Sequence, residues 1–356
     1  MQIDIIDNLA EFDRLAERWD ALYAGDAHAQ FFMSWSWLRH WFEITPYRWF
    51  VLAARPDHTQ EYVAFLPLAG VVERRCGVGL RQLLYMGGKP ISDYTGFVAD
   101  SAHAAVAIPE LGRYVAEQLT WDWFDIAHVI DERLELFLQG LNGERIRVRR
   151  EEPVGCPCAT LPQDWDAYLG ESLSAKGRAN LRRGMRMIET MPDFRATLST
   201  ADSIACDADI VLGMWRSRWG SLAAHDLGNY RHMLRRTLDD GRLCLRILWT
   251  GKEPVAALAG LLDPVKRAFM YYLTGFNERF ARISPGKVVV GWCIRDAIVQ
   301  GYERFDFLLG LDEYKTSFFN APIRLAQSVT VQRMDIASRV RGRLARWLGP
   351  ARVAAS

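Results

Sequence analysis

The residues with the clearest chemical potential lie in one short run, Arg282 to Lys287, with the sequence Arg-Ile-Ser-Pro-Gly-Lys. Ser284 suits the N-cap of a helix and Pro285 its first turn, so the run predicts a helix start. Backbone N–H groups at such a start favour phosphate, and Gly286 lets a bulky anion approach the backbone. The run therefore predicts a phosphate site, with an ordinary capped helix bearing two solvated cations as the alternative.

The elements around this run form a strand–helix–strand unit. The hydrophobic pattern predicts strands at 268–273 and 304–309, and Gly301 suits the end of the helix between them. Two such strands are expected to be parallel neighbours joined by a right-handed crossover. Ligands of such units bind beyond the carboxyl ends of the strands, which is where the predicted phosphate site lies.

The same order of elements occurs twice along the chain. The second half contains an antiparallel meander followed by helix, strand and helix, and the first half contains strands followed by helix, strand and helix. Residues 123–126 (Trp-Phe-Asp-Ile) resemble residues 304–307 (Arg-Phe-Asp-Phe) in the matching strand. This similarity indicates an internal duplication of one α/β unit. We expect domains over 1–155 and 156–335, followed by a tail over 336–356.

Composition and charge exclude several classes of protein. The chain has 356 residues, of which 50% are hydrophobic, and its 44 basic and 43 acidic residues leave a net charge of +1. A near-neutral charge argues against DNA or other bulk nucleic acid as the main partner. The sequence lacks a transmembrane segment and a secretory signal, so we expect a cytoplasmic protein. The cysteines and histidines lack metal-ligand spacing, so no metal is expected.

Several motifs together resemble a known family. The run 282–288 is followed by Ala-Ile-Val-Gln-Gly at 297–301, by Phe-Asp-Phe at 305–307, and by Gly310 and Asp-Glu-Tyr-Lys at 312–315. This succession resembles the C-terminal signature of the CelD/BcsL-type branch of the GNAT acyltransferase superfamily. Further matches are 32–38, 92–94 and 173–183. That branch is similar to the FemAB aminoacyltransferases, so the resemblance implies an α/β fold with mixed sheets in two tandem GNAT-like domains.

The resemblance also implies an activity. It predicts transfer of an acyl group from acetyl-CoA or another acyl-CoA to an amine by direct attack on the thioester. The acceptor would be a sugar, a glycan precursor or a related metabolite. The residues implied in CoA binding are Arg282, Ser284, Gly286, Lys287 and Val288. The N-terminal copy lacks a Ser-Pro-Gly run at its helix start, so we expect it to shape the acceptor site without binding CoA.

GNAT enzymes often use a carboxylate as base and a tyrosine as acid. The candidates here are Asp306, Asp312, Glu313 and Tyr314, with Asp93 from the other copy. Asp306 lies inside a predicted strand, where a structural hydrogen-bond acceptor is the alternative. Tyr314 could equally be a core residue, and Asp93 could be a turn former.

A cluster of basic residues offers contacts for an anionic acceptor. The run 176–186 carries five basic residues and no acidic one. A nucleotide sugar or a lipid phosphate would suit Lys176, Arg178 and Arg183, and a solvated helix face is the alternative. Lys315 is a further candidate for a phosphate or an acidic acceptor, with a solvated cation at a helix end as its alternative.

Two alternatives to a CoA-dependent enzyme stay open at this point. One is a FemAB-like aminoacyltransferase that uses aminoacyl-tRNA, the only setting in which we expect an RNA partner. The other is a non-catalytic accessory of polysaccharide biosynthesis that has kept the fold. The tail has basic residues and an apolar stripe over 336–352. Such a helix can lie on the inner face of the membrane, pack on the protein or fray.

Overall fold

The computed structural model describes residues 1–75, 78–85, 91–143, 145–220, 224–335, 338 and 340. These residues form two compact units, one over Met1–Pro153 together with the described residues from Ala326 onwards, and one over Val154–Leu325. The expected domain over 156–335 therefore differs at its end, because the last strand pairs within the first unit. The predicted tail lies outside the described residues apart from 338 and 340, and so does Cys76.

The first unit contains seven strands and five helices of its own among the described residues. They are β1 (Gln2–Ile6), α1 (Leu9–Arg14), α2 (Ala16–Gly25), α3 (Trp35–Ile44), β2 (Arg48–Arg55), β3 (Ala64–Arg75), β4 (Val78–Tyr85), β5 (Val98–Ala99), α4 (Ala104–Glu117), β6 (Trp123–Val129), α5 (Leu134–Leu141) and β7 (Ile146–Arg150). A 3₁₀ turn over Phe31–Met33 precedes α3.

The second unit continues the chain with a similar alternation. Its elements are β8 (Val154–Thr160), α6 (Trp165–Ser172), α7 (Ala175–Glu189), β9 (Phe194–Leu198), α8 (Ile204–Trp219), α9 (Ala224–Asp239), β10 (Leu243–Thr250), β11 (Glu253–Asp263), β12 (Ala268–Phe276), α10 (Pro285–Val299) and β13 (Arg304–Asp306). A 3₁₀ helix over Glu278–Ile283 precedes α10, and a π-helical turn over Tyr314–Phe318 follows β13. The last strand, β14 (Ile323–Arg333), begins in this unit and ends in the first.

Each unit is built on a mixed sheet. In the first unit the strands pair in the order β1-β2-β3-β4-β6-β14, with β5 on β3 and β7 on β14. In the second unit the order is β8-β13-β12-β11-β10-β9. The parallel pair is β4–β6 in the first sheet and β12–β13 in the second. The other pairs described are antiparallel. The predicted α/β class and the predicted meander over β10, β11 and β12 are confirmed.

The helix beside the parallel pair of the second unit is largely apolar and mostly buried. Val289, Cys293 and Ile294 of α10 are fully enclosed, and they pack in one core with Phe269 and Phe305 from the two parallel strands. A helix whose apolar face is packed in a core cannot slide without opening cavities, so its first turn is held in place against the strands.

Two predicted elements end at a side chain that accepts a hydrogen bond from a backbone N–H group. The hydrophobic pattern predicts one helix from 165 to 189, but the structure breaks it between α6 and α7. The Ser174 hydroxyl accepts a hydrogen bond from Gly177 N–H at 3.1 Å and starts a new helix there. The strand predicted over 304–309 stops at Asp306, whose carboxylate accepts from Leu308 N–H at 2.9 Å. Among the described residues, no helix is long and apolar enough to cross a membrane.

Candidate active site

The parallel pair of the second unit separates at the end where ligands are expected. Phe269 pairs with Phe305 and Met270 with Asp306, as predicted for parallel neighbours. β13 ends there, whereas β12 continues to Phe276, so the second half of β12 has no partner on this side among the described strands. The gap beyond the carboxyl end of β13 is therefore open to side chains and ligands.

A cavity of about 390 Å³ fills this gap. Its described lining is Arg218, Tyr271, Thr274, Phe276, Glu278, Ala281, Ser284, Gly286, Lys287 and Tyr314. The walls are largely aromatic and aliphatic, with a few polar groups pointing to one space. Such a mixture suits a small organic ligand held by a small number of directional contacts.

A bulge in β12 places the polar residues on one wall. The pairing with β11 shifts register, so that Ala259 faces Leu273 and Gly260 faces Tyr271, which leaves Tyr272 as an extra residue. Residues 271 and 274 would point to opposite faces of a regular strand. The bulge brings both to the cavity, as bulges beside active sites commonly do.

Two tyrosine hydroxyls meet at the cavity. Tyr314 donates a hydrogen bond to the hydroxyl of Tyr271, with an oxygen–oxygen distance of 2.6 Å. Burial raises the pKa of Tyr271 to about 12, and burial together with the neighbouring hydroxyl raises the pKa of Tyr314 well above its ordinary value. Arg218 lies with its guanidinium carbon 5.7 Å from the Tyr314 ring centroid. Both hydroxyls therefore hold their protons at neutral pH.

The predicted helix start is present, with an unexpected backbone at Ser284. This residue has φ +52° and ψ 55°, a left-handed conformation, and its side chain makes no capping hydrogen bond within the described structure. The expected side-chain cap is thus absent, because the left-handed backbone redirects the hydroxyl. The Ser284 carbonyl instead accepts from Lys287 N–H at 3.0 Å and from Val288 N–H at 3.2 Å. A side chain at Gly286 would lie 3.2 Å from the Phe276 ring, so glycine keeps this edge open.

A second cavity of about 220 Å³ lies on the other side of the same turn. Its described lining is Asn180, Leu181, Arg183, Gly184, Met187, Arg282, Ile283, Ser284, Lys287, Val288 and Phe318. Arg183, Arg282 and Lys287 bring three positive charges, and none forms an ion pair within the described part of the chain. The Lys287 ammonium lies 4.3 Å from the Phe318 ring centroid, and Lys287 belongs to the lining of both cavities.

Asp306 is placed as a structural acceptor rather than a base. Its side chain is buried, and it accepts hydrogen bonds from Leu308 N–H and from Arg324. It does not belong to the described lining of either cavity. The aspartate of the Phe-Asp-Phe pattern therefore stabilises the end of the strand and does not contact substrate.

Lys315 and Asp312 are engaged with the loop before Tyr314. The Lys315 ammonium is buried, 3.0 Å from Leu309 O, 3.4 Å from Gly310 O and 3.2 Å from an Asp312 carboxylate oxygen. A cation enclosed in this way does not meet an acceptor from solution, contrary to the expected phosphate contact. Lys315 therefore holds in place the loop that precedes Tyr314.

The other predicted residues fall into different settings. Arg178 donates to Leu173 O at 2.8 Å and Gly170 O at 3.1 Å, so it caps the end of α6 instead of facing a ligand. Val288 is a buried core residue that also belongs to the lining of the second cavity, whereas Lys176 is exposed. Asp93 belongs to the first unit, next to Ser92, whose hydroxyl accepts a hydrogen bond from the Trp37 indole.

Three ionisable residues of the cavity lining were not anticipated from the sequence: Arg218, Tyr271 and Glu278. Of the described residues that line the first cavity, only Glu278 carries a carboxylate. It lies two residues beyond the end of β12, in the segment that enters α10. Ligands bind beyond the ends of strands, and this rule applies to β12 as well as to β13. The position of Glu278 just after β12 could therefore have identified it as a site residue.

Comparison with known proteins agrees with this geometry. Residues 175–316 match the family model described as Acetyltransferase (GNAT) domain. No curated protein sequence matches the chain. Among the described residues, no group of three or more His, Cys, Asp or Glu side chains could hold a metal ion.

Several solved structures share the fold at low identity. FemX is 11% identical with a TM-score of 0.65, covering 98% of this chain and 99% of its own. A conserved protein of unknown function from Bacteroides thetaiotaomicron is 14% identical with a TM-score of 0.57, covering 93% and 100%. A tandem GNAT protein from the clavulanic acid biosynthesis pathway is 9% identical with a TM-score of 0.52, covering 94% and 99%.

These findings confirm the fold of two tandem GNAT-like domains, and residues 175–316 match the model of a GNAT acetyltransferase domain. The expectation of an acyltransferase is likewise confirmed. The finer assignment to the CelD/BcsL branch stays a prediction.

Proposed function

We propose that the chain transfers an acyl group from acyl-CoA to the amino group of a small acceptor, such as a sugar, a glycan precursor or a related metabolite. The observation that carries this proposal is the pair of cavities on either side of Ser284. One is lined mainly by aromatic and aliphatic groups and the other by three cations. Acyl-CoA has the same division between an uncharged pantetheine arm and a phosphorylated nucleotide.

The residues at the helix start fit such a donor. Arg183, Arg282 and Lys287 would hold phosphate by charge, and the first turn of α10 would add backbone N–H groups. Gly286 leaves room for the arm to pass beside Phe276 into the first cavity. The thioester would then lie among Tyr271, Tyr314 and Glu278.

Proton transfer in the first cavity is assigned to Glu278 and Tyr314. The acceptor arrives as an ammonium ion and must lose a proton before its nitrogen can attack. Glu278 is the carboxylate at hand, because Asp306 and Asp312 are engaged elsewhere. When the carbon–sulfur bond breaks, the Tyr314 hydroxyl can give its proton to the thiolate. Tyr271, 2.6 Å away, can support that hydroxyl through the transfer.

Calorimetric titration with acetyl-CoA, free CoA and aminoacyl-tRNA tests the proposal. We expect a dissociation constant for acetyl-CoA in the micromolar range, which corresponds to about 8 kcal/mol. Lys287→Glu should weaken CoA binding about 100-fold, since it replaces a phosphate contact with a repelling charge. Lys252→Glu, an equal charge change at the exposed turn between β10 and β11, is the matched control.

The outcomes separate the alternatives. CoA binding that survives Lys287→Glu would remove this residue from the donor site. Failure to bind CoA, with tight binding of aminoacyl-tRNA, would favour the FemAB-like activity. Failure to bind either donor would favour the accessory role in polysaccharide biosynthesis.

A further inference from the structure

The exposed side of α7 carries more positive charge than the neighbouring cavity uses. Lys176, Asn180, Arg183 and Met187 are spaced by four, three and four residues and are all exposed, so they form one stripe along the helix. Arg182 and Arg186 flank this stripe, and no acidic residue occurs before Glu189. From Lys176 to Met187 the stripe extends about 16 Å. We call it the α7 basic face.

This face is fixed relative to the proposed donor site. A Cβ atom at Gly184 of α7 would lie 2.9 Å from Val288 of α10, and one at Gly291 of α10 would lie 2.9 Å from Leu181 of α7. The two helices therefore touch through glycines, which permits close contact and leaves little freedom to shift. Three residues of this face, Asn180, Arg183 and Met187, also line the second cavity.

The phosphates of a nucleotide do not account for all these charges. Within the second cavity, Arg183 works with Arg282 and Lys287. Lys176, Arg182 and Arg186 lie outside its described lining. Arg182 pairs with Asp166 at 2.7 Å, but both side chains are about half or more exposed, so the pair contributes little. The surplus indicates an anionic partner larger than the donor's own phosphates.

We propose that the α7 basic face docks an acidic carrier protein that delivers the acyl thioester on a phosphopantetheine arm. This inference rests on the proposed function and specifies its donor. A carrier-bound arm and CoA share the phosphate, the pantetheine and the thioester, so both fit the two cavities. In the reaction the acceptor nitrogen bonds to the acyl carbon and the carbon–sulfur bond breaks. One proton of the acceptor ammonium passes to Glu278 before the attack, and the sulfur leaves as a thiol with a proton from Tyr314. The second proton, which the nitrogen loses once it is bonded to the acyl carbon, restores the Tyr314 hydroxyl.

A protein fits this face better than a nucleic acid. The stripe is one helix wide, and Met187 is 39% exposed within it. Arginine and methionine are enriched in protein interfaces, and a flexible methionine adapts to an apolar patch on a partner helix. A nucleic acid would need a wider basic surface, whereas the chain has a net charge of +1.

The test compares acetyl-CoA with an acidic bacterial carrier protein loaded with acetyl-phosphopantetheine. The variant is Arg182→Glu with Arg186→Glu, since neither residue lines a cavity. We expect kcat/KM and affinity for the loaded carrier to fall about tenfold or more at low salt, and kcat/KM for acetyl-CoA to stay within about twofold. Lys252→Glu in the same unit should leave both donors unaffected.

The inference is overturned if the loaded carrier binds no better than free CoA, or if the double variant leaves carrier binding intact. It is also overturned if tRNA binds more tightly than the carrier and the variant abolishes that binding. Normal turnover of acetyl-CoA in any of these cases would leave the proposed function standing. Loss of binding to both CoA and the carrier in the wild type would instead reject the proposed function.

Discussion

β4 and β6 of the first unit pair in parallel as β12 and β13 do in the second, and α4 and α10 are the connecting helices. The phenylalanine of the repeated Phe-Asp motif also has an apolar partner on the parallel strand in both units. Phe124 pairs with Leu83, and Phe305 pairs with Phe269. The chain therefore contains the same scaffold twice. What differs is the charge placed at the start of the connecting helix.

In the first unit the chain provides its own anion at the helix start. The Asp100 carboxylate accepts from Ala102 N–H at 2.7 Å and lies 3.4 Å from a ring nitrogen of His103. Burial raises the pKa of Asp100, but the hydrogen bonds from Ala102 and His103 outweigh it and lower the pKa overall. In the second unit Arg282 and Lys287 occupy the corresponding turn. One start is neutralised internally, and the other is left positive for a ligand.

The duplicated aspartates, Asp125 and Asp306, have the same structural role in both units, unlike the two helix starts. Asp125 accepts from Gln82 at 2.5 Å and from the Trp123 indole at 2.6 Å, while Asp306 accepts from Arg324 and Leu308 N–H. Each links its strand to neighbouring backbone or side chains. A residue kept in the copy without the cationic helix start belongs to the scaffold and not to the chemistry.

The strongest way to break the first unit alone is Arg133→Leu. The Arg133 guanidinium lies between the buried carboxylates of Asp26, at 2.8 Å, and Asp131, at 2.7 Å. Removing the cation takes the arginine partner from two buried carboxylates, so we expect a loss of about 3–5 kcal/mol in the free energy of unfolding. Urea unfolding followed by circular dichroism measures it.

Arg150→Leu is the matched control for that prediction. Arg150 pairs with Glu135 at 2.7 Å, but both side chains are about half exposed, so its loss should cost less than about 1 kcal/mol. Equal effects of the two substitutions would show that burial does not distinguish these pairs. Folded Arg133→Leu should still bind CoA as the wild type does.

The second prediction concerns the second unit alone. Tyr314→Phe should lower turnover about 100-fold, a typical contribution of an acid–base group, and leave the melting temperature near the wild-type value. Because burial raises the pKa of Tyr271 to about 12 and that of Tyr314 above its ordinary value, tyrosine ionisation should not reduce wild-type turnover below about pH 10. Steady-state kinetics and thermal unfolding of the same samples measure both effects.

Tyr302→Phe serves as the control, since its ring packs on Phe269 away from the cavity lining. A collapse in the stability of Tyr314→Phe would identify a core tyrosine instead. A turnover loss with a midpoint below pH 10 that disappears in the variant would contradict the raised pKa.

The sequence predicted the scaffold well because its signals are local. Hydrophobic pattern and the Ser-Pro-Gly punctuation located β12, α10 and β13, and the helix start followed from them. Side-chain partners were harder. Lys315 was expected to face a ligand, but the carbonyls of Leu309 and Gly310 that enclose it come together only when the loop folds. Tyr271 was missed because a bulge turns it to the cavity, and strand alternation does not reveal a bulge.

The smallest expected effect tests the charge difference between the helix starts. Asp100→Ala should destabilise the first unit by about 1 kcal/mol, because α4 loses the carboxylate that neutralises its positive end. The lowered pKa means that this stability is present at neutral pH and is lost as the pH falls through the folded-state pKa of Asp100. Urea unfolding of wild type and variant at neutral and strongly acidic pH should therefore show a difference only at neutral pH. Asp239→Ala, in the last turn of α9, removes a carboxylate from the negative end of a helix and should cost less. An equal loss at both positions would mean that Asp100 acts through local packing, and the contrast between the two helix starts would then not be one of charge.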